Sequence, residues 1–299
     1  MSTSVAMRAA IVGIGANLLL LVVKGVAAWG SDSLTVFSET MNSLSDSVAA
    51  IVILLCVRWA WMSPDTSHPF GHRRAEPIAG LLVAIFTGIL GFEACRAGAV
   101  SLWQNKLPEN IGWYPVAALC LTAFIKAAMA VYFYRRAREL GSPALRAAAV
   151  DCRNDVLLAC QGAAGVLVAR YELPLLDTVT GLVVGVYILY SAYRIMMDNI
   201  DYLMGKAPDD DVISDIRAAA ERASGVLGVE NIKGHYVGTF VHVELEVGVD
   251  GSLTTTDSHD VAEATREAVE KLDIVNRAFV HISPVPLPPP HQSSTACPE

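Results

Sequence analysis

Apolar residues gather into six long runs along the first two thirds of the chain, at 9–23, 47–57, 78–92, 115–131, 156–169 and 173–197. With its weakly polar flanks, each run approaches or reaches the roughly 20 residues that cross bilayer hydrocarbon. The pattern therefore predicts six transmembrane helices. Short outer turns are marked by WGSDS and NKLPENIGW, and a basic inner loop by YRRARELGSPALR, where Pro143 suits the first turn of the fifth helix. After GKAPDDD the character changes. DVISDIRAAAERASGV has helical periodicity, VENIKGHYVG and TFVHVELEVGV read as strands, TDSHDVAEATREAVEKL as a helix opened by a Thr or Asp cap, and NRAFVHISPV as a last strand. That order, helix, strand, strand, helix, strand, predicts helices layered on a short sheet.

The fold class expected is thus an α-helical membrane domain of six transmembrane helices followed by a small cytoplasmic α+β (αββαβ) domain. The boundaries read as 1–205 for the membrane part, 206–285 for the α+β part and 286–299 for a proline-rich disordered tail. Composition agrees: 53% of the 299 residues are hydrophobic and only 17% charged. Arg58, Arg73, Arg74, Arg135, Arg136, Arg138, Arg146, Arg194 and Lys206 fall in one alternate set of loops and helix ends, against Lys106 and Arg170 in the other. That asymmetry puts both termini in the cytoplasm. Only Arg8 precedes the first apolar run, which continues through Lys24 without a cleavage site, so the first helix is expected to stay in the membrane. The net charge of -8, concentrated late, argues against a nucleic-acid partner. Six cysteines without a C-x-x-C pair read as reduced thiols.

Polar residues inside the apolar runs carry the chemistry. In SETMNSLSD, Asn42 and Asp46 are four apart and share one helix face; in DCRND, Asp151 and Asp155 repeat the spacing. Two such pairs on facing helices bring four oxygen-bearing side chains together, a ligand set for a divalent cation. Helix caps or bundle contacts are the other reading, but Asp151 lies about two turns into its helix and Asp46 more than two turns beyond Ser33. Intramembrane carboxylates are costly and by default functional. Glu39 either lines the entrance or is interfacial, and Asn154 is expected to bond within the bundle. Asn17 and Lys24 raise the same alternatives, with Lys24 able to snorkel to the outer surface. In the inner loop SPDTSHPFGHRRAEP, Asp65, His68 and His72 form either a set that suits zinc or a solvated polar loop. His235, His242, His259 and His281 read as cytoplasmic metal sites, pH-sensitive groups or exposed histidines.

In combination, GSDSLTVFSETMNSLSDS, HPFGHRRAEP and AAAVDCRNDV, in that order on helices two, three and five, resemble the cation diffusion facilitators, also called cation efflux proteins, over roughly residues 8–285. The resemblance implies a homodimer in the lipid bilayer that exports a divalent metal, its substrate, in exchange for protons and without an organic cofactor. It also implies a metallochaperone-like, ferredoxin-like terminal domain. It places the transport-site metal on Asn42, Asp46, Asp151 and Asp155 and a loop metal on Asp65, His68 and His72. Further metal positions fall on His235, His242, His259 and His281, and a dimer lock on Arg74. Two departures stand out: Ser283 replaces an Asp common in zinc members, and Gly205, with Asp201 and Asp209 nearby, stands where the carboxylate partner of Arg74 is expected.

Zinc members usually have His where this chain has Asp151, and an all-oxygen set suits Mn2+ or Fe2+ better. DCRND with the Asn–Asp pair resembles the manganese-exporting branch, and some magnetosome-associated iron transporters share its oxygen-rich pattern. The expected function is proton-coupled efflux, with Mn2+ favoured and Fe2+ or Zn2+/Co2+ as alternatives, across a bacterial inner membrane or one derived from it. A non-transporting metal sensor is the other alternative. A membrane aspartyl protease fits poorly, since the chain has no Gly-x-Gly-Asp and its two pairs exceed what a two-carboxylate mechanism requires.

Overall fold

A computed structural model describes residues 2–29, 34–104, 113–169 and 174–285. Residues 30–33 and 105–112 of the expected outer turns and the expected tail at 286–299 lie outside the described residues. The chain divides into two compact units, Met1–Met204 and Gly205–Glu299.

The first unit holds six helices: α1 (Ser2–Trp29), α2 (Leu34–Ala60), α3 (Ala75–Gln104), α4 (Trp113–Leu140), α5 (Pro143–Ala169) and α6 (Pro174–Leu203). The shortest has 27 residues and the longest 30, so each is about 40–45 Å long at a rise of 1.5 Å per residue. Among the described residues, five are apolar enough to span a bilayer by length and composition. The exception is α5, which is long enough but carries Arg146, Asp151, Arg153 and Asp155.

The α4–α5 turn shows how local sequence sets the frame. Gly141 takes φ +62°, a left-handed conformation that costs a glycine little, and the N–H of Ser142 donates to the carbonyl of Ala137 at 3.2 Å. Pro143 then opens α5, where its missing N–H costs nothing. Ser142 Oγ also donates to Glu76 Oε2 at 2.6 Å, and both residues are buried. That bond pins the start of α5 to the start of α3.

Along α3, Gly80, Gly88 and Gly91 face α6. A Cβ at Gly91 would stand 2.9 Å from the amide N of Leu189, and one at Gly185 would stand 2.7 Å from Cys95 Sγ and 3.0 Å from its amide N. Hydrocarbon supplies no hydrophobic drive between helices, so small residues that let backbones approach are the means of association. Lys24 is buried in α1 at 6% exposure.

The second unit runs α7 (Asp210–Glu221), β1 (Gly228–Val237), β2 (Phe240–Asp250), α8 (Thr255–Glu270) and β3 (Val275–Val285). The sheet order is β1-β2-β3, with β1 antiparallel and β3 parallel to the central β2. A parallel neighbour needs a crossover, and α8 supplies it. Strict alternation along β2 puts Val241, Val243, Leu245, Val247 and Val249 on one buried face. Val241, Val243 and Leu245 form a core with Ile216 and Ala220 of α7 and Val269 of α8. Thr254 caps α8, its Oγ1 accepting the N–H of Asp257 at 3.2 Å.

Gly91→Val and Gly185→Val should each cost about 1–3 kcal/mol through overpacking of the α3–α6 seam. The check is a lowered melting temperature in detergent, with Gly15→Ala as the neutral control, since nothing lies within 4 Å of a Cβ there.

Candidate metal centre

Asp46 comes from α2, and Asp151 and Asp155 from one face of α5, a turn apart. One carboxylate oxygen from each lies within 4.8 Å of the others. Oxygen ligands held 2.0–2.6 Å from a divalent cation stand no more than about 4–5 Å apart, so the three can share one ion. Asn42 lies a turn before Asp46 on α2, but its side chain and that of Glu39 fall outside the described residues.

Three further helices position these carboxylates. Thr87 of α3 donates its hydroxyl to Asp151 Oδ1 at 2.5 Å. Asn17 of α1 donates its amide to the backbone carbonyl of Asp46 at 3.1 Å, and its Oδ1 is buried without a hydrogen-bond partner among the described residues. Lys126 of α4 places Nζ 2.6 Å from both Asp46 Oδ2 and Asp155 Oδ2. The lysine is 2% exposed, Asp155 9% and Asp46 21%. Asn17, Asp46, Lys126, Asp151 and Cys152 line a cavity of ≈ 20 Å³ beside the cluster, about the room one water needs.

Lys126 is the residue that sequence reasoning missed. Its signal was present: the one charged residue of the apolar run 115–131, ten residues inside the span that begins at Val116 and too deep for its stem to reach an interface. Asn154 also differs from expectation. It is fully buried beside Asp155, yet neither side-chain atom finds a hydrogen-bond partner among the described residues, so it does not bond within the bundle as expected.

A second donor group forms in the loop before α3. Asp65 Oδ1 accepts the N–H groups of Ser67 at 2.9 Å and His68 at 2.6 Å, a tight side-chain turn. Gly71, at φ +82°, makes the bend that brings His72 back. His68 Nδ1 and His72 Nε2 then each stand 3.4 Å from an Asp65 oxygen, and the imidazole centroids are 4.5 Å apart. The ligand atoms of the three again fall within 4.8 Å. The His68 N–H, chiefly, holds the Asp65 carboxyl below its ordinary range, so the group stays anionic and ready for a cation.

The remaining candidates are dispersed. His235 and His242 are cross-strand partners of β1 and β2 with ring centroids 5.8 Å apart, and His242 Nε2 meets Asn276 Nδ2 at 3.2 Å. His281 is exposed on β3 opposite Glu246, and His259 is exposed on α8. The four histidines make no three-ligand group among the described residues. Arg74 is exposed, with no ion-pair partner among the described residues.

Comparison with known proteins identifies the family. Residues 10–204 match the cation efflux transmembrane domain, and residues 208–285 the cytoplasmic domain of cation efflux proteins. An uncharacterized transporter of Methanocaldococcus jannaschii is 30% identical over 272 residues, covering 91% of this chain and 96% of its own length. The manganese efflux system protein MneS of Bacillus subtilis is 30% identical over 280 residues, 92% of this chain and 94% of its own. The magnetosome protein MamM of Paramagnetospirillum magneticum is 28% identical over 271 residues, 86% of this chain and 81% of its own. With both units matched in order, the chain belongs to the cation efflux family, the cation diffusion facilitators, as a multi-pass membrane transporter of divalent metal cations.

Proposed function

We propose that the chain exports Mn2+ from the cytoplasm in exchange for protons, as a homodimer with both termini on the cytoplasmic side. The observation that carries this reading is the meeting of Asp46, Asp151 and Asp155 inside membrane helices, with an oxygen as the donor atom of each. Oxygen donors suit Mn2+ better than Zn2+, which takes imidazole and thiolate readily. The relative named for manganese efflux agrees. The same donor set serves Fe2+ nearly as well, which makes ferrous iron the second reading.

Proton exchange follows from the ligand chemistry. A carboxylate holds a metal only when deprotonated, so a neutral cytoplasm favours loading and an acidic far side favours release. Rocking of helix groups around the site would expose it alternately to each side. Asp65, His68 and His72, with imidazole nitrogen in the set, would take zinc at the membrane surface. Arg74 would stabilise the dimer, and His235, His242, His259 and His281 would bind metal only where a second copy completes their ligand sets.

Proteoliposomes holding the full chain, with trapped metal and pH indicators, test the proposal. Mn2+ should enter as protons leave; binding without flux would instead make the chain a sensor. Asp46→Ala and Asp155→Ala should each reduce Mn2+ flux by about 100-fold or more, because each removes a charged ligand, while the purified chain keeps its helical circular dichroism. Asp151→His should shift preference toward Zn2+ by about tenfold in a two-metal competition assay. An unchanged metal ranking would overturn the ligand-hardness argument.

A further inference from the structure

We propose that Lys126 is a tethered competitor of the substrate: its ammonium and the transported cation contend for the same carboxylates. The inference rests on the transport-site reading above and adds to it the group that sets affinity and charge selectivity. Nζ lies 2.6 Å from an oxygen of Asp46 and 2.6 Å from an oxygen of Asp155, and these two residues belong to the three-carboxylate group. An ammonium at hydrogen-bond distance from two of the three occupies one oxygen of each, and its charge opposes that of a metal held on the same carboxylates. Both cannot hold the same lone pairs at once.

The competition is intramolecular, and that fixes its consequence. The ammonium hangs on a four-carbon stem, so its effective concentration at the carboxylates far exceeds that of any free ion. A monovalent ion from solution brings no more charge than the ammonium it displaces, so it gains nothing. A divalent cation brings twice the charge and gains on the exchange. Lys126 therefore acts as a filter for charge, and it also opposes over-tight binding, returning to the carboxylates as the metal leaves. The displaced ammonium has an acceptor at hand in the adjoining cavity, which is lined by Asn17 with its unpartnered Oδ1.

Titration calorimetry of Mn2+ on the full chain in detergent tests this, using the component of the isotherm that Asp46→Ala removes. Lys126→Met deletes the charge. Lys126→Gln also deletes it but leaves an amide that donates to both carboxylates, so a folded protein is available in either case. Both variants should bind Mn2+ at least about tenfold more tightly than the parent, since a unit charge a few ångströms from the metal position is gone. In liposomes their KM and maximal flux should fall together, because release becomes slow. Excess Na+ should weaken Mn2+ binding in the variants and leave the parent unaffected. A lysine that merely props the helices apart predicts the reverse, equal or weaker binding in both variants, and that result overturns the inference. If the parent shows Asp46-dependent binding and both variants bind no more tightly, the inference alone fails. If the parent shows no Asp46-dependent binding, the transport-site proposal fails and this inference falls with it.

Discussion

Everything in the membrane unit answers to one electrostatic constraint: one oxygen from each of three carboxylates lies within 4.8 Å of the others inside the transmembrane domain. A single unpaired charge there costs several kcal/mol, and three like charges add their mutual repulsion. Lys126 meets part of this demand by bonding two of the three carboxylates at 2.6 Å, and the Thr87 hydroxyl meets part by bonding the third. With the carboxylates and the ammonium all charged, two negative charges remain. That remainder equals the charge of one divalent cation, so the cluster is electrically complete only with such an ion or two protons.

Holding four charged groups to ångström tolerances is the task of the helix frame. Glu76 and Ser142 join the starts of α3 and α5 at 2.6 Å. From that pin, Thr87 lies eleven residues along α3, and Asp151 nine residues along α5, or about 16 and 14 Å at the helical rise. The near-equal climb is why the hydroxyl and the carboxylate meet. Beside Thr87 on α3, the glycine seam with α6 lets the two backbones approach until a methyl group would not fit. A wedge there would shift Thr87 and, through it, Asp151. Residues far from the three carboxylates thus determine whether they converge.

Much of this was legible in the chain because it follows from spacing. The i, i+4 pairing of Asp151 with Asp155 fixes a shared face whatever the bundle does, and Gly141-Ser142-Pro143 ends one helix and starts the next by local conformational preference alone. The α+β order likewise reads directly from alternating periods of residues. Other features depend on neighbours distant in sequence. Lys126 is eighty residues from Asp46 and twenty-nine from Asp155, so no window contains the ion pair, although its depth in an apolar run marked it as unusual. Thr87 is an unremarkable threonine until α5 is set beside it. For Asn154, intramembrane polarity suggested a hydrogen bond that the packing around it does not supply.

The two three-ligand groups differ in a way that their surroundings explain. Asp65, His68 and His72 form on a single loop, with Asp65 and His68 exposed, and are organised by two backbone N–H bonds to one carboxylate oxygen. Such a group can assemble without help from the bundle, and water stabilises its charge. The membrane group has neither advantage: its ligands come from two helices, and its charge must be balanced by protein or by the substrate. Yet both groups depend on α3. His72 accepts the N–H of Ala75 at 2.9 Å where the loop enters that helix, and Thr87, three turns onward, orients Asp151. One rigid element therefore links the geometry of the imidazole group outside the bilayer to that of the oxygen group within it. A displacement of the loop that moved the head of α3 along its axis would act directly on the bond that holds Asp151 in the carboxylate group.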